Sequence, residues 1–317
     1  MRFPIWAIGL FLALAALAVS PGTDDWKPER LTASGLPNAY RLHQRVISGG
    51  EPDGEAAFAA LKELGVKTII SVDGARPNLA LAEKYGLRYA HLPHGYDGVP
   101  DQRARELAKA VRDLPGPVYI HCHHGKHRSP AAAAIACVTT GLLDSDRALV
   151  VLKTAGTSEN YRGLYHSVRS ARRIDDNSLD ALAADFPAQA KIPPIADAMV
   201  QIEHVHDHLK AFAESRWQPL AHQPDLNAAH EALLLKEHYV ELTRTPEVQT
   251  MPAAFRKLLT EAEAQATTLE DSLEKWQKAG QPTLTHASLN SILAAITKNC
   301  TACHQKFRDV PLAEKRR

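Results

Sequence analysis

Cysteine is scarce in this chain. Four residues, at positions 122, 137, 300 and 303, are too few to staple 317 residues with disulfides, so each thiol needs its own explanation. A dominant charge is also missing. The 37 basic and 36 acidic residues leave a net charge of +1, which argues against nucleic acid or an anionic membrane surface as a partner and requires any anion to be bound by a local site. Composition gives no ground for disorder either, with 45% of residues hydrophobic and 23% charged. The length exceeds one ordinary domain, and two is the expected number.

The N-terminus carries a long apolar run, Ile5 to Val19, preceded by Arg2 and followed by Ser20-Pro21-Gly22 and Asp24-Asp25. It reads as a targeting segment. Small residues at Ala18 and Ser20 suit cleavage after Ser20. Pro21 is a poor residue to follow a cut, and the run is nearly long enough to span a bilayer, so an uncleaved anchor is the alternative. Residues 1–20 are thus expected to be a signal peptide or N-terminal anchor. The rest of the chain is then periplasmic or exported, with membrane contact only through that segment.

From residue 30 to 175 short β-branched runs alternate with helical stretches. Strands are expected at Arg45–Ser48, Lys67–Val72, Arg88–Leu92 and Pro117–His121, and helices near 54–64, 78–85, 101–113 and 129–141, which is an α/β layer with a largely parallel sheet. Residues 176–194, ending in Pro193-Pro194, read as a linker. Beyond it helical periodicity takes over near 195–215, 226–243, 252–278 and 284–308, broken by Pro219, Pro224, Pro246 and Gly280-Gln281-Pro282. The expected architecture is therefore two domains: an α/β sheet with flanking helices, followed over 195–310 by an all-α four-helix bundle.

The last of these blocks contains Cys300-Thr301-Ala302-Cys303-His304. In such a motif the two thiols lie on one helical face, where they reach the vinyl groups of a haem, and the histidine falls under the iron. Leu289, Ile292, Ile296, Cys300, Cys303 and Phe307 share that face, so both cysteines point to the bundle interior. The run through Phe307-Arg308 at the end of a fourth helix resembles the cytochrome c-prime family over about 195–310. That resemblance implies haem c held by Cys300, Cys303 and His304, with the distal side supplied by the first helix. Met199 is the best placed distal ligand, giving an iron suited to electron transfer; an open distal side would suit a small gas ligand, and Met199 would then be core filler. His204 and His208 project elsewhere and read as a solvated surface.

The string His121-Cys122-His123-His124-Gly125-Lys126-His127-Arg128-Ser129 lies between a strand and a helix. A tight loop there converges backbone N–H groups and the helix dipole on one point, which cradles a phosphate and favours the thiolate of Cys122, while Arg128 can bind two equatorial oxygens. This string resembles the protein tyrosine and dual-specificity phosphatases. Ile47-Ser48-Gly49-Gly50-Glu51-Pro52, residues 61–70 and Tyr89-Ala90-His91-Leu92-Pro93 extend the likeness to the small bacterial members over roughly 40–172. It implies Cys122 as nucleophile, Arg128 as phosphate clamp and Ser129 as the hydroxyl that helps release the thiolate. Asp97 is expected as general acid, with Asp101 second or else an N-cap. His123, His124, Gly125, Lys126, His127 and Arg128 would line the phosphate, and the basic side chains among them would favour a multiply charged substrate. Cys137, in an Ala-rich helix, reads as core.

Three functions follow. The first is an exported phosphomonoester hydrolase fused to a cytochrome, acting on protein or inositol phosphates, with a redox partner protein or gas at the haem. The second is a haem electron carrier or sensor whose N-terminal module only binds an anion or a partner. The third is sulfurtransferase-type persulfide chemistry at Cys122.

Overall fold

A computed structural model describes residues 26–279 and 285–315. The targeting segment and Gly280-Gln281-Pro282 lie outside the described residues. Among those described, no helix is long and apolar enough to cross a membrane.

The α/β part comprises β1 (Glu29–Arg30), β2 (Tyr40–His43), β3 (Val46–Gly50), α1 (Gly54–Glu63), β4 (Thr68–Ser71), α2 (Leu79–Lys84), β5 (Arg88–His91), α3 (Asp101–Asp113), β6 (Val118–Cys122), α4 (Arg128–Thr139), α5 (Ser145–Ala155) and α6 (Arg162–Ser170). The sheet order is β1-β2-β3-β6-β4-β5, with β3, β6, β4 and β5 parallel and β1 and β2 added antiparallel. Strands β3, β4 and β6 are buried along their whole length, as expected where helices cover both faces of parallel strands. The four expected strands and helices lie within two residues of their sequence positions. The antiparallel pair β1–β2 was not expected.

Every residue of α4 is buried. Its alanines allow it to lie against β3 and β6 while α3, α5 and α6 pack around it. Cys137 sits in that core, where burial pushes its thiol up to about 12 and leaves it inert.

A short α7 (Asp176–Asp180) follows, and the chain then runs along the β5 edge: His91 N–H donates to the Pro187 carbonyl at 2.8 Å and Ala190 N–H to His91 Nδ1 at 3.1 Å. This covers an edge that would otherwise present open hydrogen-bonding groups.

The C-terminal part is helical: α8 (Pro194–Glu214), α9 (Ala228–Arg244), α10 (Pro246–Gln249), α11 (Ala253–Ala279), α12 (His286–Cys303), a π-helical turn His304–Arg308, and α13 (Leu312–Lys315). Pro194 opens α8 with its backbone already set for a helix, and Asn227 and Thr285 cap α9 and α12 through their side-chain oxygens. Helix α8 packs on α9 and α12, and α11 on the same two, around one apolar core that includes Leu209, Phe212, Leu235, Leu269, Leu289 and Ile296. His204 and His208 of α8 are not the solvated surface expected of them. His208 Nδ1 meets Glu231 Oε2 at 2.8 Å, and the His204 ring centre lies 5.5 Å from that of His123. They form polar seams against neighbouring elements instead.

Candidate functional site

Strand β6 ends at Cys122 and α4 begins at Arg128, so five residues make the loop between them. Gly125 has φ +69°, and a Cβ there would stand 2.4 Å from Gly50 N. A Cβ at Gly49 would stand 2.2 Å from the Tyr119 hydroxyl, which donates to the Gly50 carbonyl at 2.7 Å. Glycine is therefore needed where the loop touches the end of β3. The loop's carbonyls are tied outward: His123 O accepts from Glu51 N–H at 3.0 Å, Gly125 O from Asn38 Nδ2 at 2.9 Å, and Lys126 O from Thr157 Oγ1 at 2.6 Å. With those carbonyls fixed outward, the amides are left to the concave side. Among the described residues, no protein acceptor takes a backbone N–H of residues 123–128. This is the geometry of an anion-binding nest.

Cys122 is buried at the base of this loop, its Sγ 3.3 Å from Ser129 Oγ. Ser129 in turn donates to the Gly49 carbonyl at 2.9 Å. Arg128 is buried and its guanidinium lies 4.4 Å from the Tyr96 ring centre. Burial opposes its charge, but Tyr96, Asp73 and Cys122 around it outweigh that and hold it firmly cationic. Its Nε has no protein partner among the described residues. A buried cation with a free donor, beside a nest of N–H groups and a thiol, can bind an oxyanion over the sulfur.

The remaining residues expected at this site have varied surroundings. Asp97 lies on the loop after β5, and its Oδ2 is 2.8 Å from Lys315 Nζ. Asp101 is the first residue of α3; Pro100 occupies the cap position and no side-chain capping bond forms. Lys126 and His124 are exposed at the loop tip. His127 packs against Tyr161 with the rings tilted by 52° and is pushed down to about 4 by burial and then by neighbouring cations, so at neutral pH it adds no charge. His123 turns to carboxylates, with Nδ1 3.3 Å from Glu51 Oε2 and Nε2 3.3 Å from Asp207 Oδ2. Those two contacts raise it to about 10. His123, His124 and Asp207 bring ligand atoms within 4.8 Å of one another, but the other Asp207 oxygen is held by Lys210. The group is an ion-pair network joining the loop to α8.

Sequence reasoning missed Asp73. It stands just past β4, the strand beside β6, and is almost fully buried. Its Oδ1 accepts from Ala75 N–H at 3.0 Å and lies 3.3 Å from Ser71 Oγ, while its Oδ2 has no partner among the described residues. Burial would raise its pKa, yet the charges of Arg128 and His121 and the Ala75 amide bring it below the usual carboxylate range. The available signal was its position: ligands of parallel sheets gather at the carboxyl ends of the strands.

At the far end of the chain, Cys300 and Cys303 pack against the apolar core of the helical part, as do Met199 and Phe307. Cys300 Sγ lies 3.5 Å from the Tyr239 hydroxyl. Burial raises Cys300 and pushes Cys303 up to about 11; burial and then Arg308 push His304 down to about 3. The His304 ring is thus neutral, with a lone pair available to a metal.

Comparison with known proteins bears on the α/β part. The chain is 31% identical over 125 residues to the dual specificity protein phosphatase TpbA of Pseudomonas aeruginosa, in strain UCBPP-PA14 and equally in strain PAO1. The α/β part is related to a dual-specificity phosphatase. The match takes in 38% of this chain and 55% of the relative, so the chain spans about half the length of the curated relatives it matches. Among solved structures it is similar to the P. aeruginosa TpbA crystal structure, with 24% identity, a TM-score of 0.41, and coverage of 49% of this chain and 95% of that one. It is also similar to the core catalytic domain of the PP-IP phosphatase SIW14 from S. cerevisiae, with 15% identity, a TM-score of 0.40, and coverage of 47% and 92%. No protein-family model matches the chain.

Proposed function

We propose that this chain is an exported phosphomonoester hydrolase that works through a cysteinyl-phosphate intermediate, joined to a c-type haem domain for electron transfer or redox or gas sensing. The observation that carries the hydrolase half is the loop over Cys122. Its carbonyls are tied to the scaffold, its N–H groups are left to an anion, and Arg128 stands beside it with a free donor. The 31% identity to a dual-specificity phosphatase supports the same reading.

In the first step the Cys122 thiolate attacks phosphorus. An S–P bond forms as the bond to the leaving oxygen breaks, and Asp97 gives that oxygen its proton. In the second, the Asp97 carboxylate takes a proton from a water molecule as the water oxygen attacks phosphorus, and the S–P bond breaks to return the thiolate. The Ser129 hydroxyl, which now donates to Gly49, turns to the sulfur 3.3 Å away and stabilises it. Arg128 and the loop amides hold the equatorial oxygens through both steps. Protein phosphates and inositol phosphates are the substrate classes.

For the other half, α8, α9, α11 and α12 are read as a four-helix bundle of the cytochrome c-prime type. The donor set fits haem c: two thiols three residues apart on the core-facing side of α12, and a neutral histidine in the next position of the continuing helix. Cys300 and Cys303 would hold the porphyrin and His304 the iron, with Met199 as the second residue that would hold the iron. When bound, the haem supplies one-electron or gas-binding chemistry.

The test uses the full chain made in a host that attaches haem c. Expected are a haem that stays on the chain after denaturation, release of phosphate from p-nitrophenyl phosphate or an inositol polyphosphate, and loss of that release in Cys122→Ser. Phosphate release equal in wild type and Cys122→Ser would end the hydrolase reading; haem freely extracted by acid and organic solvent would end the other.

A further inference from the structure

The segment that follows the Cys300–His304 motif does not trail away from the hydrolase site. The π-helical turn His304–Arg308 continues α12 and sets the Arg308 guanidinium 4.1 Å from the Tyr96 ring centre, the same ring that Arg128 meets at 4.4 Å. Tyr96 immediately precedes Asp97. Four residues after Arg308, Leu312 N–H donates to the Asp97 carbonyl at 2.9 Å. Lys315 Nζ then reaches Asp97 Oδ2 at 2.8 Å. Glu314 anchors the segment to α6 through a two-pronged ion pair with Arg162, at 2.8 and 3.1 Å.

The Asp97 loop is held equally closely from its other side. Val99 N–H donates to Ser167 Oγ at 3.0 Å. A Cβ at Gly98 would stand 2.9 Å from Ser167 Oγ and 3.5 Å from Leu312 Cδ1. The loop is thus clamped between α6 and the C-terminal segment, and a displacement of that segment has to be felt at Asp97.

We propose that the segment Arg308–Lys315 is a latch on the acid of the Cys122 site, and that the binding state at His304 sets whether the latch is closed. The inference rests on the hydrolase and haem readings above and names the regulation they leave open. With the latch closed, one Asp97 oxygen is occupied by the Lys315 ammonium and the backbone by Leu312, so the carboxyl is not free to follow a leaving oxygen. Only three residues separate His304 from Arg308 within one continuous helical turn, the path by which a shift of the histidine ring would reach the latch.

The test is made on full-length holoprotein with two substrates. p-Nitrophenolate leaves without a proton, whereas the alkoxide of an inositol phosphate needs one. Lys315→Ala is expected to raise turnover of the inositol phosphate by about 3-fold, the scale of a half-exposed ion pair, and to leave p-nitrophenyl phosphate unchanged. Lys315→Arg should behave as wild type, and Lys315→Ala added to Asp97→Asn should have no effect. A ratio of the two substrates that does not rise, or a rise that persists without Asp97, overturns the latch.

Amide hydrogen exchange supplies a readout that needs no turnover. Residues 95–99 should exchange faster in Lys315→Ala, and at different rates in the ferric and the carbon-monoxide-bound ferrous protein. Equal rates in the two iron states overturn the link to His304. Absence of Cys122-dependent hydrolysis would be a failure of the hydrolase reading alone, and the exchange result would still decide the latch.

Discussion

Ser129 Oγ lies 3.3 Å from Cys122 Sγ while its proton is directed to the Gly49 carbonyl. At rest the hydroxyl therefore serves the scaffold, and under the proposed hydrolysis it has to turn when the thiolate becomes the leaving group of the second step. Ser129→Ala should slow breakdown of the phosphoenzyme by about 10-fold, the worth of one hydrogen bond to a charged group, and leave its formation nearly intact. Rapid-quench kinetics with p-nitrophenyl phosphate should then show a burst of one equivalent. A linear time course with an equally reduced rate would place Ser129 in scaffolding only.

Gly125 combines φ +69° with a backbone approach that leaves no room for a Cβ. Gly125→Ala should destabilise the fold by about 2 to 3 kcal/mol, from left-handed backbone strain plus overpacking against Gly50, and abolish phosphate binding by displacing the loop amides. Urea unfolding and isothermal titration with inorganic phosphate or vanadate measure the two effects. Unchanged affinity in the variant would mean that the loop amides are not the anion site.

Asp73 places a buried negative charge behind Arg128. Its pKa is depressed in the fold, so its stabilisation is present above the unfolded value of about 4 and is lost as pH falls below it. Asp73→Asn should cost about 2 kcal/mol at neutral pH, because Arg128 and the other cations are left facing an uncharged amide. The gap between wild type and variant should close as pH falls below about 4. A gap that stays constant with pH would show that charge has no part in it.

What the sequence disclosed depended on how local each feature is. The string around Cys122 is contiguous and sits between an unmistakable strand and helix, so its place in the fold was legible. The long helices were legible because proline separators and side-chain caps such as Asn227 mark their ends. Strands β1 and β2 were not. They are short, and they exist through non-local pairing, β2 with β3 and β1 with β2. Asp73 belongs to no motif and acquires meaning only once β4 lies beside β6. The contact of Lys315 with Asp97 joins residues 218 positions apart, and no periodicity or spacing rule reaches that far.

His94 lies at the start of the Asp97 loop, almost fully buried, with Nδ1 2.9 Å from the Gly95 carbonyl. Burial, partly offset by that hydrogen bond, pushes it down to about 4. A histidine that stays neutral in the fold takes up its proton later than in the unfolded chain, where the value is about 6.5. Between those two values the unfolded state binds more protons, so stability falls as pH is lowered through the window. His94 alone should contribute a loss of about 3 kcal/mol between about pH 6.5 and 4. His127, also pushed down to about 4, acts in the same direction. In His94→Asn, which keeps a donor for the Gly95 carbonyl but cannot titrate, the slope of unfolding free energy against pH should be clearly shallower, even if the variant starts lower at pH 7. Urea unfolding at several pH values between 4 and 7 measures that slope. Equal slopes in wild type and variant would show that His94 is not held neutral, and that the acid loop is more open to water than its packing against α6 implies.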